Sequence, residues 1–157
     1  MGKNRKLDPS HRALITTVAA VLLLASCTLP EIRVLNDPLT PEEHITLGLA
    51  YEQKGEFGPA LEQYEEAAKK VPLAFLYMGN VYYQTGKYDD AERSYRRAIS
   101  ATHDARAYNN LAWLYYSQGV RLEEAEGLAE EAVRLAPDSE DFRDTLDKVR
   151  SGLPATP

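Results

Sequence analysis

Residues 78–98, MGNVYYQTGKYDDAERSYRRA, decide the fold of this chain. Apolar residues recur three and four positions apart on both sides of Gly86, which indicates two helices that each bury one face. A glycine just past a helix suits the left-handed conformation that ends a helix at least cost. The segment therefore predicts a hairpin of two helices joined at Gly86.

The same pattern occurs once before and once after this segment. Eight positions recur in register in each of the three copies. The first copy has Leu47, Gly48, Tyr51, Gly55, Ala60, Tyr64, Ala67 and Pro72, the second has Met78, Gly79, Tyr82, Gly86, Ala91, Tyr95, Ala98 and His103, and the third has Leu111, Ala112, Tyr115, Gly119, Ala125, Ala129, Ala132 and Pro137. The pattern resembles the tetratricopeptide repeat, W-x₂-L-G-x₂-Y, then A-x₃-F, then P. The resemblance implies an all-α solenoid of three helix-turn-helix repeats, at about residues 41–71, 72–103 and 104–137, within a domain of residues 41–151.

The three copies depart from the usual period of about 34 residues. Gly48 and Gly79 are 31 residues apart, and Gly79 and Ala112 are 33 apart. We expect Pro72 to serve as the first turn of the next helix, a position that proline tolerates. We also expect the small residues of each repeat to face each other where its helices cross, in the pairs Gly48 and Ala60, Gly79 and Ala91, and Ala112 and Ala125.

A seventh helix, residues 138–150, is predicted after Pro137. Phe142, Leu146 and Val149 form an apolar stripe, and the other positions are polar, which suits the terminal cap that a repeat array needs. Asp138 or Ser139 is expected to cap this helix. Residues 152–157 are expected to form a loose tail.

The amino-terminal residues have the pattern of a secretory signal. Basic residues precede an apolar stretch from Ala13 to Ala25, 13 residues long, and small residues follow. Leu24-Ala25-Ser26-Cys27 resembles the lipobox of bacterial lipoproteins, in which the cut precedes the cysteine and its sulfur receives a diacylglyceryl group. The resemblance implies a signal peptide at 1–26, lipidation of Cys27 and a linker at 27–40. The alternatives are a structural cysteine or a nucleophile, although nothing near Cys27 supplies the base a nucleophile needs.

Composition and motifs argue against several classes of function. Without residues 1–26 the chain has 14 basic and 23 acidic side chains, so nucleic acid should be repelled. Phosphate-binding, triad and metal-ligand motifs are missing from the sequence, and we expect no catalysis, cofactor or metal. The histidines that remain, His44 and His103, are expected on a helix surface or in a turn.

Binding is the function that the resemblance implies. In tetratricopeptide proteins the first helices of the repeats line a concave groove, and the matching positions here are Asn80, Tyr83, Arg106, Asn109, Asn110, Trp113 and Tyr116. Large aromatic residues dominate protein interfaces, and asparagine can pair with any peptide backbone. Some tetratricopeptide proteins hold the terminal carboxylate of a bound peptide with a lysine, among other residues. That lysine is missing here, which favours an extended or helical segment of a partner as the ligand. The alternative is that Trp113 and the tyrosines only fill space between helices.

These features predict a lipid-anchored adaptor or scaffold of the bacterial cell envelope that binds a protein or peptide partner. Thr28 follows the cysteine, and in Gram-negative lipoproteins this favours the outer membrane, facing the periplasm. An alternative is a self-associating structural lipoprotein, because Ile45 and Leu49 of the first repeat have no repeat before them to cover them.

Overall fold

A computed structural model describes residues 38–152 of the chain. The predicted signal peptide, Cys27 and most of the linker lie outside the described residues. Within them the chain forms seven α-helices and no strand. The helices are α1 (Pro41–Gln53), α2 (Phe57–Ala68), α3 (Ala74–Gln84), α4 (Tyr88–Thr102), α5 (Ala105–Gln118), α6 (Leu122–Leu135) and α7 (Glu140–Gly152).

Each helix packs against the next one along the chain. The closest pairs are α1 with α2, α3 with α4 and α5 with α6, which are the three predicted hairpins. The final helix, α7, packs against both α5 and α6, and α3 also touches α5. Contacts that join only near neighbours define a solenoid, so the predicted all-α solenoid of three repeats and a terminal helix is confirmed. No helix among residues 38–152 has the length and apolarity needed to cross a membrane.

The turns inside the hairpins are the predicted glycine turns. Gly55, Gly86 and Gly119 have φ angles of 75°, 73° and 64°, in the left-handed region. The prediction from the repeat pattern is therefore confirmed at all three positions. His103 ends α4 in the same conformation with φ 51°, which agrees with the expected turn role. His44 differs from its expected surface position, because it is buried and its Nδ1 lies 2.8 Å from Gln63 Oε1.

Side-chain caps mark where several helices begin. Thr40 Oγ1 accepts from the Glu43 amide at 3.2 Å, and Glu43 accepts from the Thr40 amide at 2.7 Å, which completes a capping box. Ser139 accepts from the Phe142 amide at 3.4 Å, so of the two candidates Ser139 caps α7. Pro72 lies in the turn before α3 rather than in its first turn, because α3 begins at Ala74.

The glycines of the first helices accommodate tyrosine rings. A Cβ atom added to Gly79 would lie 2.4 Å from Tyr95 Cε1, and one added to Gly48 would lie 2.4 Å from Tyr64 Cε1. The residues closest to the two glycines are therefore these tyrosines, each one helical turn beyond the alanine that we expected to face the glycine. The third repeat has alanine at both positions, Ala112 and Ala129, and the two form one buried cluster with Leu146.

Gly119 and Ala125 are six positions apart, one more than Gly86 and Ala91, and the additional residue lies between Gly119 and the start of α6 at Leu122. Arg121 there has a positive φ of 48°, which costs free energy in a residue other than glycine. Its Nη1 donates to Glu92 at 2.6 Å and to the Tyr115 hydroxyl at 2.9 Å. Although burial raises the pKa of Glu92, hydrogen bonds from Tyr115, Arg96 and Arg121 bring it below its ordinary value. The inserted residue therefore ties the third repeat to the second.

Candidate functional site

A recess opens between α3 and α5. It has a volume of about 360 Å³, and α7 contributes to one side of it. Its lining consists of amide, hydroxyl and aromatic side chains, which are Asn80, Tyr83, Gln84, Tyr95, Asn109, Asn110, Trp113 and Thr145. The first helices of two successive repeats thus supply most of the surface, as the groove positions of the sequence predict.

A chain of hydrogen bonds fixes the amides at the base of the recess. Asn80 Oδ1 accepts from Asn110 Nδ2 at 2.9 Å and from the Tyr95 hydroxyl at 3.1 Å. Tyr95 is buried, and this burial raises the pKa of its phenol well above the usual range, so the hydroxyl stays protonated and keeps donating. With both bonds made, the Asn80 side chain is held in one orientation, with its amide NH₂ opposite the occupied oxygen.

Asn109 holds the one buried side-chain polar atom without a partner among the described residues. Its Nδ2 donates weakly to Asn110 Oδ1 at 3.4 Å, but its own Oδ1 is shielded from solvent and accepts no hydrogen bond. An unsatisfied buried acceptor costs about 1–3 kcal/mol.

Aromatic side chains form the upper wall. Trp113 Nε1 donates to the Tyr83 hydroxyl at 3.0 Å, which links α5 to α3, and Trp113 and Tyr116 have ring centroids 5.5 Å apart. Lys148 of α7 lies over the Trp113 ring with its Nζ 5.3 Å from the ring centroid. Lys148 is also paired with Asp144 at 2.6 Å. The indole ring of Trp113 therefore lines the recess and also has the Lys148 ammonium group over one of its faces.

A carboxylate stands behind the recess on the side of the first repeat. Glu52 Oε1 accepts from Gln84 Nε2 at 2.6 Å, and its Oε2 accepts from the Tyr64 hydroxyl at 2.8 Å. Besides burial and the nearby Tyr83, the charge of Glu52 contributes to the raised pKa of Tyr95. The negative charge of Glu52 is therefore felt by groups that line the recess.

Comparison with known proteins finds similarity over the part of the chain that supplies most of the recess. The family model described as a tetratricopeptide repeat matches residues 76–140, which include most of the lining residues. Residues 76–140 are therefore similar in sequence to tetratricopeptide repeats. A stretch of 77 residues of this chain is also 35% identical to the human protein O-mannosyl-transferase TMTC1. The matched stretch covers 49% of this chain and 9% of that protein, so this chain spans less than a tenth of that relative.

Solved tetratricopeptide domains share the fold at low sequence identity. The first such domain of Spaghetti (RPAP3), bound to the HSP90 peptide SRMEEVD, is 19% identical, with a TM-score of 0.66 over 75% of this chain and 96% of that one. The Sgt2 domain from Aspergillus fumigatus is 14% identical, with a TM-score of 0.65 over 71% and 77%. The second domain of human RPAP3, in complex with the HSP70 peptide SGPTIEEVD, is 20% identical, with a TM-score of 0.61 over 70% and 98%.

Five of the seven predicted groove residues line the recess of this solenoid, namely Asn80, Tyr83, Asn109, Asn110 and Trp113. Arg106 lies outside the lining because Asp104 holds its guanidinium through two bonds of 2.9 and 2.7 Å. This pairing raises the pKa of Arg106 and lowers that of Asp104. Tyr116 also lies outside the lining; its ring is tilted by 46° against that of Trp113 and approaches Gly152 at the end of α7.

Three lining residues were not predicted from the sequence. Tyr95 lies on a second helix of the repeat, and it reaches the recess because its hydroxyl passes Gly79 to bond Asn80. Thr145 comes from α7, and a signal for it was present, since it is a polar residue beside the apolar stripe. Gln84 follows Tyr83 in the last turn of α3. Among residues 38–152 no group of three histidine, cysteine, aspartate or glutamate side chains is placed to hold a metal ion.

Proposed function

We propose that this chain is a lipid-anchored adaptor whose tetratricopeptide groove holds a segment of a protein partner. The observation that carries the proposal is the recess between α3 and α5, where fixed amides and an aromatic wall face one opening. Amides offer a peptide backbone both a donor and an acceptor, and aromatic anchors supply most of the binding energy in interfaces. Similar domains bound to the HSP90 and HSP70 peptides support a peptide as the kind of ligand.

The membrane part of the proposal depends on the amino-terminal sequence. A basic start, an apolar stretch and Leu24-Ala25-Ser26-Cys27 favour lipidation of Cys27 in a bacterial cell envelope. The segment from Thr28 to Thr40 would then join lipid and α1, and 13 residues reach at most about 45 Å. The adaptor would work close to the membrane surface, which in a Gram-negative cell is the periplasmic face of the outer membrane.

Two experiments test the two parts separately. Affinity capture with the full chain should recover a partner that is lost when Asn80→Ala and Trp113→Ala are combined, but kept with Arg93→Ala on the exposed surface of α4. Equal recovery with all three proteins would exclude the groove. For the anchor, mass spectrometry of the mature amino terminus should find lipid on Cys27, and a chain isolated with residues 1–26 intact and unacylated would refute it.

Self-association is the second candidate. Leu49 is half-buried and packs on the core of the first repeat, and Ile45 is half-buried as well, so the outer face of α1 exposes less apolar surface than the sequence suggested. Sedimentation of the full chain in detergent decides the matter, since a monomer at high concentration excludes this candidate.

A further inference from the structure

The recess carries a charge pattern that specifies its ligand more closely. None of its lining side chains in the described part of the chain is a lysine or an arginine. Arg106 of α5 and Lys148 of α7, which lies over the Trp113 ring, are paired with Asp104 and Asp144 at 2.7 and 2.6 Å. Any positive charge needed to balance the recess must therefore come from the ligand.

The charge behind the recess is negative and has no counter-ion among the described residues. Both hydrogen bonds that Glu52 accepts come from uncharged groups, the Tyr64 hydroxyl and the Gln84 amide. Gln84 itself lines the recess, so a single side chain separates the carboxylate from the ligand space. A half-buried carboxylate in this position favours a cation and disfavours an anion, because its field is less screened there than at an open surface.

The walls of the recess also suit a cationic side chain. The Trp113 ring already attracts Lys148 within the molecule, and the electron-rich faces of indole and phenol rings bind ammonium and guanidinium groups. Amide and hydroxyl oxygens also line the recess, and lysine and arginine side chains are pure donors. Acceptors and aromatic faces thus line the opening, and a carboxylate lies behind it.

We propose that the recess binds a lysine or arginine side chain of the partner segment, a specificity that rests on the groove function proposed above. This chain would therefore reject acidic segments such as the SRMEEVD and SGPTIEEVD peptides held by the structurally similar domains. Asn109 lines the recess, so a lysine at this position would add a positive charge to the ligand space. The basic segment is also consistent with the net charge of −6 of the whole chain.

Selection from a random peptide-display library against the full chain in detergent tests the proposal. We expect lysine or arginine to be enriched at one position and acidic residues to be depleted around it. Enrichment of acidic or purely apolar peptides would overturn the charge specificity while leaving a peptide-binding groove. Failure to enrich any peptide would overturn the groove function and the specificity together.

The affinity of one selected peptide can then be measured by the fluorescence of Trp113, which is the chain's single tryptophan and lines the recess. We expect Glu52→Gln to weaken binding about threefold to sevenfold, the loss of one unit charge at partial screening. Asn109→Lys should weaken it about tenfold and improve binding of the peptide whose basic residue is replaced by glutamate. The matched control, Glu62→Gln on the exposed surface of α2, should change it less than about twofold.

Two results would contradict the charge argument. One is an unchanged affinity in Glu52→Gln with a properly folded protein, as judged by circular dichroism. The other is equal binding of the basic peptide and its glutamate counterpart by the wild-type chain.

Discussion

Alanine at Gly79 should destabilise the chain, although alanine is the better helix former. The new Cβ would lie 2.4 Å from Cε1 and 2.5 Å from Cδ1 of Tyr95. The ring is 2% exposed, and its hydroxyl is bonded to Asn80, so it cannot swing aside freely. Overpacking costs about 1–3 kcal/mol, and helix propensity returns about 1 kcal/mol. We expect a net loss of about 0–2 kcal/mol, and a loss of about 1 kcal/mol would lower the Tm by about 5 °C.

The matched control is Gly127→Ala in α6. Gly127 also lies inside a helix, is exposed, and has no atom within 4 Å of an added Cβ. This variant should show only the propensity gain and be stabilised by about 0.5–1 kcal/mol. The two substitutions are chemically identical, so their opposite signs would isolate the contact with Tyr95.

A double-mutant cycle with Tyr95→Leu completes the test. Leucine shortens the side chain and makes room for the Cβ at position 79, so Gly79→Ala should be neutral or stabilising in that background. Urea and thermal unfolding, followed by circular dichroism, supply the four free energies of unfolding. The reasoning is refuted if Gly79→Ala has the same effect in both backgrounds, or if it stabilises the otherwise unchanged chain.

Three further predictions concern caps, acid and the aromatic wall. Thr40→Ala removes the acceptor of the Glu43 amide and should lower the free energy of unfolding by about 1 kcal/mol in urea titrations, whereas no change would mean that the capping box is not needed. Glu92 has a lowered pKa in the folded chain, so its contribution to the free energy of unfolding is present above about pH 4.5 and is lost as the pH falls through the folded pKa. Glu92→Gln should therefore reduce the slope of the free energy of unfolding against pH on the acid side, and an unchanged slope would contradict this prediction. Tyr83→Phe deprives Trp113 Nε1 of its hydrogen-bond acceptor, so it should shift the tryptophan emission and lower the free energy of unfolding by about 1 kcal/mol. An unaltered emission spectrum would argue against that hydrogen bond.

The sequence was informative about features that depend on local geometry. Gly86 was predicted as a left-handed turn because few other residues tolerate a positive φ, and the structure has φ 73° there. The hairpins followed from apolar spacing, which only requires that each helix bury one face. Asn80 and Trp113 were placed at one groove because their repeat positions fix which face of the helix they occupy.

The sequence was less informative about side chains that have more than one possible contact partner. Arg106 has a groove position, but Asp104, the N-cap residue of the same helix, binds its guanidinium group through two hydrogen bonds. Tyr95 is one of the recurring repeat positions, but only the three-dimensional crossing of α3 and α4 shows that its ring covers Gly79. Thr145 enters the recess because α7 packs on both α5 and α6, a long-range arrangement that no local pattern encodes.

The glycine–tyrosine and alanine–alanine pairs bear on how such an array can be rebuilt or can evolve. A whole hairpin can be duplicated or exchanged, because it carries both members of its pair. A chimera that joins α5 to a copy of α4 would set Ala112 against a tyrosine, and one that joins α3 to a copy of α6 would leave Gly79 opposite an alanine. The unit of recombination is therefore two helices long, and a crossover inside a hairpin yields either a clash or a hole.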